Sequence, residues 1–218
     1  SENGIKYIKQ DGSVGYYQTV NKTTPVAGDV KYVDRNGDGV VDDNDRDIIG
    51  NPNPDFTYGF QTKVSWKSLS LSASFNGVQG RDILNVGNRY NNTPGTKSNN
   101  VTRKAFQNMW TDENPSNLYP KSTFVVQNMV MDRYVEDGSY LRCSDITLSY
   151  VLPAKWTNKI GIKNTSVYAS VKNAFVITDY SGYDPEVNSF AFDGLRPGVD
   201  MNSYPTPRSF VFGLNLTF

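Results

Sequence analysis

Residues Asp34 to Asp45, DRNGDGVVDDND, gather hard oxygen donors at the spacing of a calcium loop. Asp34, Asn36 and Asp38 fall at positions 1, 3 and 5, Gly39 at the sharp turn of position 6, and Val40 offers its carbonyl at position 7. Asp42 then stands at position 9 and Asp45 at position 12. Oxygen ligands at alternate positions around a glycine turn suit Ca2+ better than Mg2+, which demands stricter octahedral geometry. Asp45 is shorter than the bidentate Glu usual at its position, and no helical periodicity precedes the loop. A calcium-braced loop is therefore expected here, not a complete helix–loop–helix hand. The alternative is an acidic, glycine-rich turn whose carboxylates are merely solvated.

Other chemistry is sparse. The 218 residues contain no His, which excludes Ser-His-Asp and Cys-His catalysis and His-based zinc sites. The single cysteine, Cys143, forms no disulfide within the chain and reads as a small apolar filler of a strand. A glycosidase needs only two carboxylates, and Asp132, Glu136, Asp137 and Asp145 are available, but no spacing sets two of them across a cleft. The chain is expected not to be an enzyme. Lys plus Arg and Asp plus Glu each number 22, with no basic cluster, so nucleic acid is not an expected partner. Between Val78 and Ser139, Tyr90, Trp110, Tyr119 and Tyr134, with Tyr140 just past the end, could offer aromatic faces to sugars, or equally pack their own loop or belt a membrane interface. Within that stretch Val101 to Trp110 has helical spacing, with Asn100 as a candidate cap and an apolar face expected to pack on the loop.

What must position these groups is a set of alternating strands. Phe210, Phe212, Leu214, Leu216 and Phe218 share one face of the final segment, with Ser209, Val211, Gly213, Asn215 and Thr217 on the other. At ~3.3 Å per residue and a tilt of roughly 40°, ten residues rise about 25 Å, the height of the apolar band on an outer-membrane barrel. Phe56 to Trp66 and Leu69 to Asn76 repeat the pattern as a hairpin closed by Lys67 and Ser68. Asp145 to Tyr150 and Val167 to Lys172 repeat it again, and a weaker strand falls between Gly4 and Tyr17.

Short links (67 to 68, 153 to 165) alternate with long ones (77 to 139, 179 to 208), so the short ones gather at one end of the sheet and the long ones at the other. Transmembrane barrels have that asymmetry, with short periplasmic turns and long external loops. The expected fold is all-β: antiparallel C-terminal strands of a large transmembrane barrel, with residues 1–55 a loop and weak-strand region and 56–218 the barrel strands and external loops. Mean hydropathy of −0.54 does not oppose this, because every second residue of a barrel strand is polar. Five strong strands are too few to close a barrel, and no signal peptide opens the chain, so a fragment of a longer protein is expected. The competing architecture is a soluble, calcium-braced β-sandwich that binds glycans through its long loops.

GDVKYVDRNGDGVVDDNDRDIIGNPNPDFTYGF, residues 28 to 60, and YPTPRSFVFGLNLTF, residues 204 to 218, resemble the C-terminal region of the SusC-like TonB-dependent transporters. The resemblance implies an outer-membrane importer of oligosaccharides, or in some members peptides, in Gram-negative bacteria. It further implies a barrel of 22 strands around an N-terminal plug, a SusD-like surface lipoprotein as lid, and energy drawn from TonB through a region absent from this chain. The terminal Phe218 resembles the signal read by the barrel assembly machinery.

Overall fold

A computed structural model describes residues 6–8, 11–16, 26–92, 100–122, 130–157, 162 and 164–217. The chain divides into two compact units, one formed by residues 1–49 and 87–132 and the other by 50–86 and 133–218.

In the first unit, β1 (Lys6–Ile8) pairs antiparallel with β2 (Val14–Tyr16), so the weak strand expected between Gly4 and Tyr17 is a small hairpin in its described part. The Asp-rich loop ends in a 3-10 turn, Asp43–Asp45, capped by Asp42. The helix expected over Val101 to Trp110 is α2 (Arg103–Asn108), introduced after α1 (Val86–Asn92), which opens this stretch. Its cap is not Asn100: Thr102 Oγ1 accepts from the Ala105 amide at 3.1 Å, because an N-cap hydroxyl must sit three residues before the amide it receives. Ala105 packs inside, whereas Phe106 is exposed, so the expected apolar face is only partly buried. Thr102→Ala is expected to cost α2 about 1 kcal/mol, read as faster amide exchange at Ala105.

The second unit is built on a five-stranded antiparallel sheet. It takes β3 (Phe56–Trp66), β4 (Leu69–Gln79), β7 (Tyr140–Val151), β8 (Asn164–Thr178) and β10 (Ser209–Thr217), in the order β10-β8-β7-β4-β3. Phe218 lies outside the described residues. Lys67 takes a φ of +54° in the two-residue turn between β3 and β4, the left-handed conformation such tight hairpins need. A short helix, α3 (Ala154–Thr157), occupies the other short link. A second, three-stranded sheet joins β5 (Asp82–Asn85) antiparallel to β6 (Val135–Asp137) and parallel to β9 (Val199–Asp200). It ties the bases of the two long links together.

Strands β7 and β8 run further than the alternation indicates, for a local reason. Between Asp145 and Cys143 the register shifts, with Ser144 as an extra residue against β4 and Asn173, at a φ of +51°, in the matching gap of β8. A bulge lets a strand continue while breaking its visible period. Asn173 Nδ2 donates to the Pro207 carbonyl at 3.0 Å, which sets the start of β10 directly beside the bulge. No helix among the described residues is long and apolar enough to cross a membrane, which has no bearing on strands.

Candidate functional site: a two-faced wall and its rim

Register turns five alternating sequences into one apolar surface. Trp66, Leu69, Tyr150, Val167 and Leu214 are successive cross-strand neighbours, and so are Val64, Leu71, Leu148, Ala169 and Phe212. Thr62, Ala73, Ile146, Val171 and Phe210 form the next row. Above the bulge, Phe60, Phe75, Cys143 and Phe175 continue it, with the Phe60 and Phe75 rings stacked at 4.5 Å. Cys143 is fully buried in that row, as a filler should be.

Nothing in the described chain covers this face. Trp66 is 69% exposed, Val64 65% and Phe212 79%. A sandwich sheet would bury those side chains against a second sheet, whereas a barrel strand presents them to lipid. The band ends in Trp66 and Tyr150 toward the short turns and in Phe56 and Tyr58 toward the long loops, the placing of interfacial aromatic girdles.

The opposite face is polar in the same register: Gln61, Ser74, Asp145, Lys172 and Ser209 form one row, and Lys63, Ser72, Thr147, Ser170 and Val211 the next. Asp145 is the hub, with Lys172 Nζ at 2.6 Å and the Thr147 and Ser170 hydroxyls donating at 2.8 Å each. Its engagement there, that of Glu136 with Ser181, and that of Asp137 with the Ser139 amide explain three of the four acids first considered for hydrolysis as structural.

At the long-loop end, the polar face carries a buried ionic cluster. Arg142, next to the bulge, is paired with Asp184 and lies 3.1 Å from Glu186 Oε2. Glu186 Oε1 also accepts from Tyr140 Oη at 2.6 Å and Asn76 Nδ2 at 3.0 Å. Burial pushes the Asp184 carboxyl up, but the Glu186 and Thr206 amides and the Arg142 guanidinium outweigh it and hold the group below the usual carboxylate range. Nearby, Tyr180 donates to Asp200 at 2.7 Å; burial and that carboxylate raise the phenol above its ordinary value. None of Arg142, Asp184, Glu186 or Asp200 stood out by spacing. The usable signal was Arg142 itself, a charge between Leu141 and Cys143 in a strand, which must find a carboxylate if buried.

The Asp-rich loop folds on its own amides. Asp34 accepts from the Gly37 and Gly39 amides at 2.7 and 2.8 Å, Asp38 from Val40 at 2.8 Å, Asn36 from Asp38 at 2.9 Å, and Asp42 from Asn44 at 2.8 Å. Asp45 bridges the Arg35 and Asp42 amides at 2.8 Å each; burial acts to raise its carboxyl, but these amides hold it low. Gly37 and Gly39 take φ of +76° and +85°, the conformation glycine supplies. Among the described residues no three acidic or thiol groups converge as a metal cage. The donor chemistry nonetheless fits Ca2+, since an ionised carboxylate bonded to one or two amides keeps lone pairs for a cation.

The aromatic candidates separate. Tyr134 and Tyr140 are buried; Tyr90 keeps an exposed ring. Trp110 packs over Gly28, where a Cβ would come within 2.4 Å of the indole, and its amide donates to the Tyr119 carbonyl at 3.0 Å. Trp110 thus packs within the loop, against Gly28.

One apolar and one polar face on an antiparallel sheet, with short turns at one end and long loops at the other, define a segment of an outer-membrane β-barrel wall. No protein-family model matches the chain. TonB-dependent receptor P26 of Formosa agariphila is 35% identical over 201 residues, 88% of this chain and 20% of that protein. TonB-dependent receptor SusC of Bacteroides thetaiotaomicron is 34% identical over 194 residues, 86% of this chain and 17% of that protein. The solved RagAB peptide transporter superposes with a TM-score of 0.67 at 29% identity, covering 78% of this chain and 18% of that one. The RagAB peptide importer in its open-open state gives 0.66 at 27%, covering 99% and 22%. The chain belongs to the SusC-like TonB-dependent receptors, outer-membrane proteins of Gram-negative bacteria and not enzymes. It spans about a fifth of the length of the relatives it matches.

Proposed function

We propose that this chain is C-terminal barrel wall and external rim of a TonB-dependent importer of oligosaccharides or peptides, working with a SusD-like surface lipoprotein. The observation that carries this reading is the continuous apolar face, aligned by register across five strands and backed by a polar face suited to a water-filled interior. The family resemblance of residues 28 to 60 and 204 to 218 supports the oligosaccharide reading, and the peptide transporter RagAB supports the peptide one. TonB supplies the energy and the barrel assembly machinery inserts the protein. Source cells lacking the protein are expected to lose uptake of fluorescent oligosaccharides or of fluorescent peptides, and mild-detergent extracts to yield it with a lipoprotein; unchanged uptake of both would overturn the reading.

We further propose that Asp34, Asn36, Asp38, the Val40 carbonyl, Asp42 and Asp45 bind Ca2+ as a structural brace. The spacing supports this, as do amide bonds that already wrap the donors into one loop. Calorimetric titration is expected to show one Ca2+ site in the unmutated protein, abolished by Asp34→Ala with Asp38→Ala; no heat from the unmutated protein would end the proposal.

A further inference from the structure

The long link between β8 and β10 does not stand clear of the sheet. Its residues Asp184 to Val187 lie against the polar face, because every side chain that holds them belongs to that face or to its upper rim. Asn76 and Arg142 are register partners on adjacent strands, and Tyr140 is two residues further along β7 on the same side. All three reach Glu186. Arg81, at the end of β4, donates to the Pro185 carbonyl, so a second guanidinium grips the backbone between the two acids. Pro185 is fully buried, and Val187 nearly so.

β9 pairs with β5, and other ties of the link are polar. Ser181 donates to Glu136 at 2.9 Å and the Leu84 amide to the Gly198 carbonyl at 2.8 Å, while Tyr180 donating to Asp200 at 2.7 Å and the Thr206 amide to Asp184 at 3.0 Å fold the link on itself. Meanwhile Tyr183, Phe192, Leu195 and Tyr204 stay largely exposed. Beyond Tyr180, Pro185 and Val187 the link buries little apolar surface, while the five strands of the wall pair with one another without it. A buried ion cluster in such a place contributes little net stability but fixes one geometry, and removing one member leaves an uncompensated charge. Segments held with few buried apolar contacts open locally at far lower cost than the sheet beneath them.

We infer that residues 183–198, the part of the link that precedes β9, form a strap over the interior face of the wall, and that Arg142 is the positioning residue that pins it there through Asp184 and Glu186. The strap narrows the polar side of the wall at its loop end and releases as a unit without unfolding the strands. Its bearing on substrate passage rests on the import reading above; its existence as a releasable element does not.

Limited proteolysis of the protein in isolated outer membranes tests the pin directly. Arg142→Met is expected to raise the cleavage rate within residues 188–198 by roughly tenfold or more, while the unboiled protein keeps the altered mobility of a folded barrel. Asp184→Asn with Glu186→Gln, which keeps shape and removes both charges, is expected to do the same. Unchanged cleavage in either variant that retains the barrel would overturn the inference, and so would loss of the barrel in both, since the wall is inferred to stand without the strap. Uptake assays on the same variants separate the two readings: faster cleavage with unaltered uptake leaves the strap in place and removes its role in passage.

Discussion

Ile146→Arg is expected to destabilise the barrel by about 2–4 kcal/mol, while Thr147→Arg one residue later is tolerated. The two positions share a strand and its backbone pairing but point to opposite sides. Ile146 sits in the middle apolar row, between Ala73 and Val171, where a guanidinium would have to leave water for lipid. Thr147 lies on the polar face beside Asp145, which already carries Lys172 and has capacity for another donor. Denaturation midpoints in detergent or bilayer, followed by heat-dependent gel mobility, separate the two variants. Equal tolerance of both would mean that the Ile146 face never meets lipid.

Gly77→Val is expected to cost about 1–3 kcal/mol by overpacking. Gly77 pairs with Tyr58 in register, and a Cβ built there would stand 2.3 Å from the Tyr58 ring and 2.7 Å from the Tyr140 carbonyl oxygen. The ring folds across the glycine, while its hydroxyl donates to that same carbonyl at 3.3 Å. Adding Tyr58→Ala should recover only part of the loss, because the clash with the backbone oxygen persists. Full recovery in the double variant would show that the ring alone requires glycine.

The strands were legible where period 2 is unbroken. Phe56 to Trp66 and the β3–β4 hairpin could be read residue by residue, because side-chain alternation and turn length fix them locally. The upper halves of β7 and β8 were not, since Ser144 and Asn173 interrupt the period and only the neighbouring strands show that pairing resumes. The rim was less legible still. Arg142 meets Asp184 and Glu186 across more than forty positions of sequence, and no local pattern encodes so distant a pairing. The Asp-rich loop lies at the other extreme, because each of its turns is closed by a side chain two to ten residues away.

A nitroxide scan along residues 146–150 tests the two-faced wall most directly. Single cysteines are placed in a Cys143→Ser background and the protein is held in bilayers. Labels at 146, 148 and 150 are expected to collide with oxygen dissolved in lipid, and labels at 147 and 149 with a water-soluble nickel complex. Uniform collision rates along the strand, or apolar positions shielded from both reagents as in a sandwich core, would contradict the assignment of this sheet to a membrane barrel.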